Sequence, residues 1–93
     1  MNESAIERIN FYSIKDVAMN YFAPPFQARS DAEAKSLIRN SIEPGSVLSR
    51  FPADYHLYRV GGMNSQTGID DCNAVCIASV TDIIRSMEVS SNE

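Results

Sequence analysis

The sequence predicts an α+β fold: a small antiparallel sheet of three to four strands with one amphipathic helix packed on one face. Three observations predict it. Ala34, Leu37, Ile38 and Ile42 recur at the helical spacing i, i+3, i+4, i+8. Runs of β-branched and aromatic residues alternate on both sides of that segment. Pro, Gly and Asn clusters stand between the runs, where turns are needed.

Ile9-Asn10-Phe11-Tyr12-Ser13-Ile14-Lys15-Asp16-Val17 reads as the first strand, with Tyr12 and Ile14 on one face and Phe11 and Lys15 on the other. In Asn20-Tyr21-Phe22-Ala23-Pro24-Pro25-Phe26 the paired prolines donate nothing to a ladder and hold their predecessors extended. That segment is an exposed connection, with Phe26 turning back to the core and Phe26-Gln27-Ala28-Arg29 as a short second strand. Ser30-Asp31-Ala32-Glu33 is a capping box: Ser30 accepts from the Glu33 amide and Glu33 reaches back to the Ser30 amide. It opens the helix, which carries Lys35 and Arg39 away from the apolar stripe and ends at Glu43-Pro44-Gly45.

Tyr55-His56-Leu57-Tyr58-Arg59-Val60-Gly61 alternates again, Tyr55 and Leu57 facing one way, His56, Tyr58 and Val60 the other. Asn64-Ser65-Gln66-Thr67-Gly68 is a polar turn in which Gly68 supplies positive φ, and Ile69 begins the return arm. Ala74-Val75-Cys76-Ile77-Ala78-Ser79-Val80 reads as a further strand. Beyond it, the stretch through Ile83-Ile84-Arg85 has room for a short helix before a polar tail. The organisation expected is an N-terminal extension (1–8), a single α+β domain (9–85) and a polar C-terminal tail (86–93).

The chain has 93 residues and a mass of 10.3 kDa, one small domain of marginal stability that a partner or second copy would support. With 44 % apolar and 22 % charged residues it has the makings of a core, and wholesale disorder is excluded. No apolar run approaches the roughly 18–20 residues that cross a bilayer. Met1-Asn2-Glu3-Ser4 does not begin a secretory signal, so a cytoplasmic location is expected.

The net charge of −4 argues against indiscriminate wrapping on nucleic acid, yet the charge is uneven. Residues 8–59 hold seven bases against five acids, whereas in residues 60–93 Arg85 alone faces five acids. Any phosphate contact belongs to the first two-thirds of the chain. Cys72 and Cys76 stand too far apart on a strand to form a disulfide, and His56 is the only histidine; both cysteines read as structural thiols, with no metal site. His56 reads as a satisfied or solvent-facing strand histidine. No nucleophile–base pair and no phosphate loop is present, so no catalytic residue and no cofactor is expected.

Single-strand nucleic-acid binding asks for an open sheet, rings on which bases stack and cations for phosphates. Lys15, Arg29, Lys35, Arg39, Arg50 and Arg59 are the candidate phosphate contacts, and Tyr12, Tyr21 and Tyr58 the candidate stacking platforms. The bland reading stands beside it: rings in a chain without tryptophan fill the core, and Lys35 and Arg39 form a solvated helix face. From the residues alone, a nucleic-acid module and a protein-interaction module fit equally.

The order of motifs narrows the choice. Phe11-Tyr12-Ser13-Ile14-Lys15-Asp16, Ala23-Pro24-Pro25-Phe26, Asp31-Ala32-Glu33-Ala34, the block Phe51-Pro52-Ala53-Asp54-Tyr55-His56-Leu57-Tyr58-Arg59-Val60-Gly61 and then Thr67-Gly68 follow one another. This order resembles the small nonstructural protein of gokushovirus-type Microviridae, icosahedral single-stranded-DNA phages. The resemblance covers roughly residues 10–69; Gly61-Gly62-Met63-Asn64 departs from the family's usual turn, and residues 70–93 carry no likeness. It implies a bacteriophage DNA-binding protein of viral DNA synthesis in the host bacterial cytoplasm, with no catalytic residues. The partners it implies are single-stranded DNA and phage or host replication proteins; the small size and the exposed edge of the sheet add a second copy in a homodimer, and the lack of a long apolar run leaves no membrane partner. The alternative is a homo-oligomeric protein-interaction module that engages phage or host proteins without nucleic-acid contact.

Overall fold

Two long strands run antiparallel through the centre of the molecule. In the computed structural model, which describes residues 7–91 with side chains to Ser86, these are β1 (Arg8–Asp16) and β4 (Tyr55–Asn64). They pair from Arg8↔Asn64 to Asp16↔Tyr55, with Val60 as the extra residue of a bulge opposite Phe11 and Tyr12. Outside β1 lie β2 (Tyr21–Phe22) and β3 (Phe26–Ala28), and outside β4 lie β5 (Gly68–Asp71) and β6 (Val75–Ser79).

All pairings are antiparallel. Each outer position is thus one strand broken in the middle: residues 23–25 interrupt one side, residues 72–74 the other. On the first side the cause is Pro24-Pro25, which cannot join a ladder.

The helical elements are α1 (Asp31–Ser41), α2 (Val47–Arg50) and α3 (Val80–Ser91), with a 3-10 turn at Pro52–Asp54. In chain order the molecule is hairpin, helix, hairpin, helix: two ββα units placed with β1 and β4 side by side. Both long helices pack on the same face and touch each other. No helix of the described residues is long and apolar enough to cross a membrane.

The core lies between this helical layer and one face of the sheet. Tyr12, Leu57 and Ala28 from the strands meet Ala34 and Ile38 from α1 and Ile83 from α3, with Ile14, Phe26, Ile42, Ile77 and Ala78 closing the edges. Val80 is also fully buried. Full burial of a side chain the size of Leu57, Val80 or Ile83 contributes about 1.5–3 kcal/mol, which a core of this size needs.

The α+β class stands, but the sheet has six strands rather than three or four, and three helices replace one. The prolines split the first outer strand, and the short helix expected through Ile83-Ile84-Arg85 is the longer α3, whose β-branched first residues read as strand. Ser79 ends β6 and caps that helix, its Oγ accepting from the Asp82 amide at 3.1 Å. Residues 86–91, expected as tail, are helical; residues 92–93 lie outside the described residues. At the other end Arg8 already belongs to β1, and Glu7 exchanges two hydrogen bonds with Ser65; residues 1–6 of the expected extension lie outside the described residues.

The cap of α1 is shifted too. Ser30 Oγ accepts from the Glu33 amide at 3.1 Å, but Glu33 Oε1 accepts from Arg29 N at 2.6 Å, one residue beyond the expected Ser30 amide. Leu37, assigned to the apolar stripe, is 46 % exposed, because the helix rests on the Ala34–Ile38 line.

Candidate nucleic-acid interface

Alternation along β1 and β4 sorts the side chains onto two faces. Tyr12, Ile14, Tyr55, Leu57 and Arg59 point to the helices. All helical packing lies there: α1 and α3 through the core, α2 through Leu48 beside Ile14 and Tyr55. The opposite face presents Phe11, Lys15, His56 and Tyr58, and the register adds Phe22 beside Lys15 and Cys76 beside Tyr58.

On this open face Phe22 and Tyr58 meet edge to face, their centroids 5.2 Å apart at 87°. Lys15 Nζ lies 5.3 Å from the Phe22 centroid and 5.4 Å from that of Tyr58, held over both π faces. Cys76 Sγ is 3.8 Å from His56 Nδ1 in the adjoining position. Next along the same face, Phe11, Pro25, Val60, Gly61, Ile69 and Cys72 line a shallow apolar groove of about 350 Å³. Gly61 is needed there: a Cβ on it would lie 2.8 Å from the Asp71 carbonyl oxygen.

The helix-side face holds a different arrangement. Tyr12 has no exposed surface, and its hydroxyl accepts from Asn10 Nδ2 at 3.1 Å and donates to Asp31 Oδ1 at 2.6 Å. Arg59 Nη1 donates to both Asp31 oxygens at 3.0 Å. The hydrogen bond from Tyr12, with the Arg59 guanidinium beside it, holds the Asp31 carboxyl below its ordinary range. Burial, and then the hydrogen bond to Asp31, push the Tyr12 phenol above its ordinary value. The bond to Asp31 likewise raises Arg59. This triad fastens the start of α1 to the middle of the sheet.

The nine residues expected at the site therefore do not form one surface. Lys15 and Tyr58 come together on the open face. Tyr12 is a core residue whose hydroxyl is occupied, so no base stacks on it. Arg59 is turned to the helix side and committed to Asp31. Lys35 and Arg39 border a cleft with Asp82 and Ser86 of α3, and Arg39 also donates to Ser36 Oγ at 2.9 Å.

Arg29 stands near Glu7 and Arg8, at the other end of β1 from Lys15. Arg50 stacks on Phe51 at 5.2 Å. Tyr21 is exposed but lies on the helix side, beside Ile14 and Leu48. Phe22, His56, Cys76 and Phe11 were not among the expected site residues. Phe22 was legible in principle: it is the partner of Lys15 once residues 17–20 are read as a turn. The cysteines, read as structural, are both exposed thiols.

A family model described as Phage ORF5 protein matches residues 9–83, spanning the sheet and the start of α3. The chain belongs to the Phage ORF5 protein family. The match continues past residue 69, so the second ββα unit is part of what the family shares. Comparison with curated proteins and with solved structures gives no match. Membership makes this a bacteriophage protein, and the open face becomes the first place to look for its role. Among the described residues, no three of His, Cys, Asp and Glu gather closely enough to hold a metal ion.

Proposed function

We propose that this Phage ORF5 family protein is a non-enzymatic accessory factor of viral DNA replication in gokushovirus-type Microviridae, acting in the host bacterial cytoplasm. It contacts single-stranded DNA through the open face of its sheet. The observation that carries this reading is the Lys15–Phe22–Tyr58 cluster: a cation astride two aromatic rings on a sheet face that the helices leave uncovered. Base–aromatic stacking supplies about 1–3 kcal/mol per base and tolerates any sequence, while Lys15 meets the adjoining phosphate. With Lys15 the one expected phosphate contact beside those rings, affinity is micromolar or weaker. The salt dependence is then shallow, a slope of about −0.7 per phosphate neutralised.

Fluorescence anisotropy with a labelled oligothymidylate at low salt tests it. Wild type binds, Tyr58→Ala weakens binding by about 5- to 150-fold for the loss of one stacked base, and Lys35→Ala with Arg39→Ala leaves it unchanged. No binding, or equal binding by Tyr58→Ala, overturns the reading in favour of a protein-interaction role without DNA contact.

A further inference from the structure

The end of the sheet where β1 turns into β2 carries a second feature that DNA binding does not use. Val17 and Met19 on the turn, Tyr21 at the start of β2, Val47 on α2 and Phe51 just after it are large apolar side chains left in solvent, Met19 the most at 73 %. Between turn and helix, Ile14, Tyr21, Ala23, Leu48 and Tyr55 line a groove of about 380 Å³ with Asp16 at its rim.

The turn is not a loose loop. Val17 N donates to the Asp54 carbonyl at 3.0 Å, Asn20 N to the Val17 carbonyl at 3.3 Å, and Met19 N to Asp16 Oδ1 at 3.1 Å. Asn20 takes positive φ (55°), a conformation asparagine tolerates better than most residues. The backbone is thus spent on holding Met19 outward, next to an apolar groove. An anchor fixed in this way loses little freedom on docking, and methionine adapts to an irregular pocket.

We infer that this apolar end is a homodimer interface, in which Met19 of each copy enters the groove between the turn and α2 of the other. Three observations select a second copy as the occupant. Knob and groove lie side by side on one end, so a two-fold axis satisfies both at once, as an isologous contact requires. The charges nearby are of both signs, Asp16 and Asp54 with Arg50, so a guanidinium is available to the carboxylates where two copies meet. The five exposed side chains amount to on the order of 500 Å², at the upper end of what monomers leave uncovered. Covered on both copies, they reach the roughly 1,000 Å² total of a specific interface.

The inference does not rest on the DNA reading: Met19 and α2 lie off the open face, and dimerisation leaves two such faces available to one strand. Sedimentation equilibrium on the full chain across 1–100 µM tests it. The expected mass is twice 10.3 kDa; Met19→Glu and, on the separate element α2, Val47→Glu each yield monomer with an unchanged circular dichroism spectrum. Leu37→Glu, at an exposed apolar site on α1, leaves the dimer intact. A monomer at 100 µM overturns the inference, as does a dimer indifferent to both Met19→Glu and Val47→Glu. Loss of the dimer in Leu37→Glu alone would place the interface on the helices instead.

Discussion

Removing one oxygen, by Tyr12→Phe, tests how the helical layer is fixed to the sheet. The ring fits the same core site, so the substitution isolates the hydroxyl, which links Asn10, Asp31 and through Asp31 the Nη1 of Arg59. A hydrogen bond to a charged group contributes about 1.5–3 kcal/mol to stability. Asp31 keeps Arg59, and its side chain is 41 % exposed, so water takes over part of the lost contact. The expected loss is about 1–2 kcal/mol, a fall in Tm of roughly 5–15 °C for a domain of this size.

The pH profile separates the hydroxyl from a packing defect. Asp31 is depressed in the folded state, so its contribution is full above about pH 4, the ordinary carboxyl value, and is lost as pH falls through the folded value. Tyr12 is raised, so its contribution holds below about pH 10 and is lost as pH rises through its folded value. The gap between wild type and Tyr12→Phe, measured by urea unfolding, should therefore be a plateau across neutral pH that narrows at both ends. A gap under about 0.5 kcal/mol, within the range of ordinary surface substitutions, or one that does not change with pH, would refute this account of the triad.

Further outcomes follow from the packing and from the open face. On α1, Ile38→Ala should cost about 2–4 kcal/mol in urea unfolding. Leu37→Ser, one residue earlier, should stay within about 0.5 kcal/mol. Gly61→Ala drives a Cβ against the Asp71 backbone and should lower stability by about 1–3 kcal/mol. Gly62→Ala meets instead the Arg8 guanidinium and the Asn10 side chain, which yield, so thermal melts should rank it well above Gly61→Ala. In a Cys72→Ser background, saturating oligothymidylate should slow alkylation of Cys76 several-fold, because that thiol sits beside Tyr58 on the open face; an unchanged rate would count against DNA contact there.

The sequence made the faces of the two central strands readable, because strict alternation from Phe11 to Lys15 and from Tyr55 to Val60 needs only the period of two. The Ser30 cap and the Gly68 turn were readable for similar local reasons, and Gly68 does take positive φ, at 92°. What failed was what depends on a neighbour in space. Leu37 and Ile38 have equal claim to a helical stripe until the sheet beneath chooses one.

Tyr12 and Tyr58 look alike in alternating runs, but they fall on opposite faces once β1 and β4 pair, which buries one ring and leaves the other beside Lys15. Arg59 shares Tyr12's face and is drawn to Asp31, a contact spanning 28 residues that no local pattern announces. The α3 helix was read around Ile83-Ile84-Arg85, but its start was placed late and its length too short. Ser79 and Asp82 formed a capping signal three residues apart, but the β-branched Val80 and Thr81 between them favoured a strand.

The central claim of the proposal is that the sheet's open face, and not the basic side of α1, holds single-stranded DNA. Amide chemical-shift mapping with a short single-stranded oligonucleotide tests this most directly. The account predicts perturbations concentrated at Phe11, Lys15, Phe22, His56, Tyr58 and Cys76, with Lys35, Arg39 and the rest of α1 unmoved. Shifts clustered on α1 and α3, with the Lys15–Phe22–Tyr58 group silent, would contradict it.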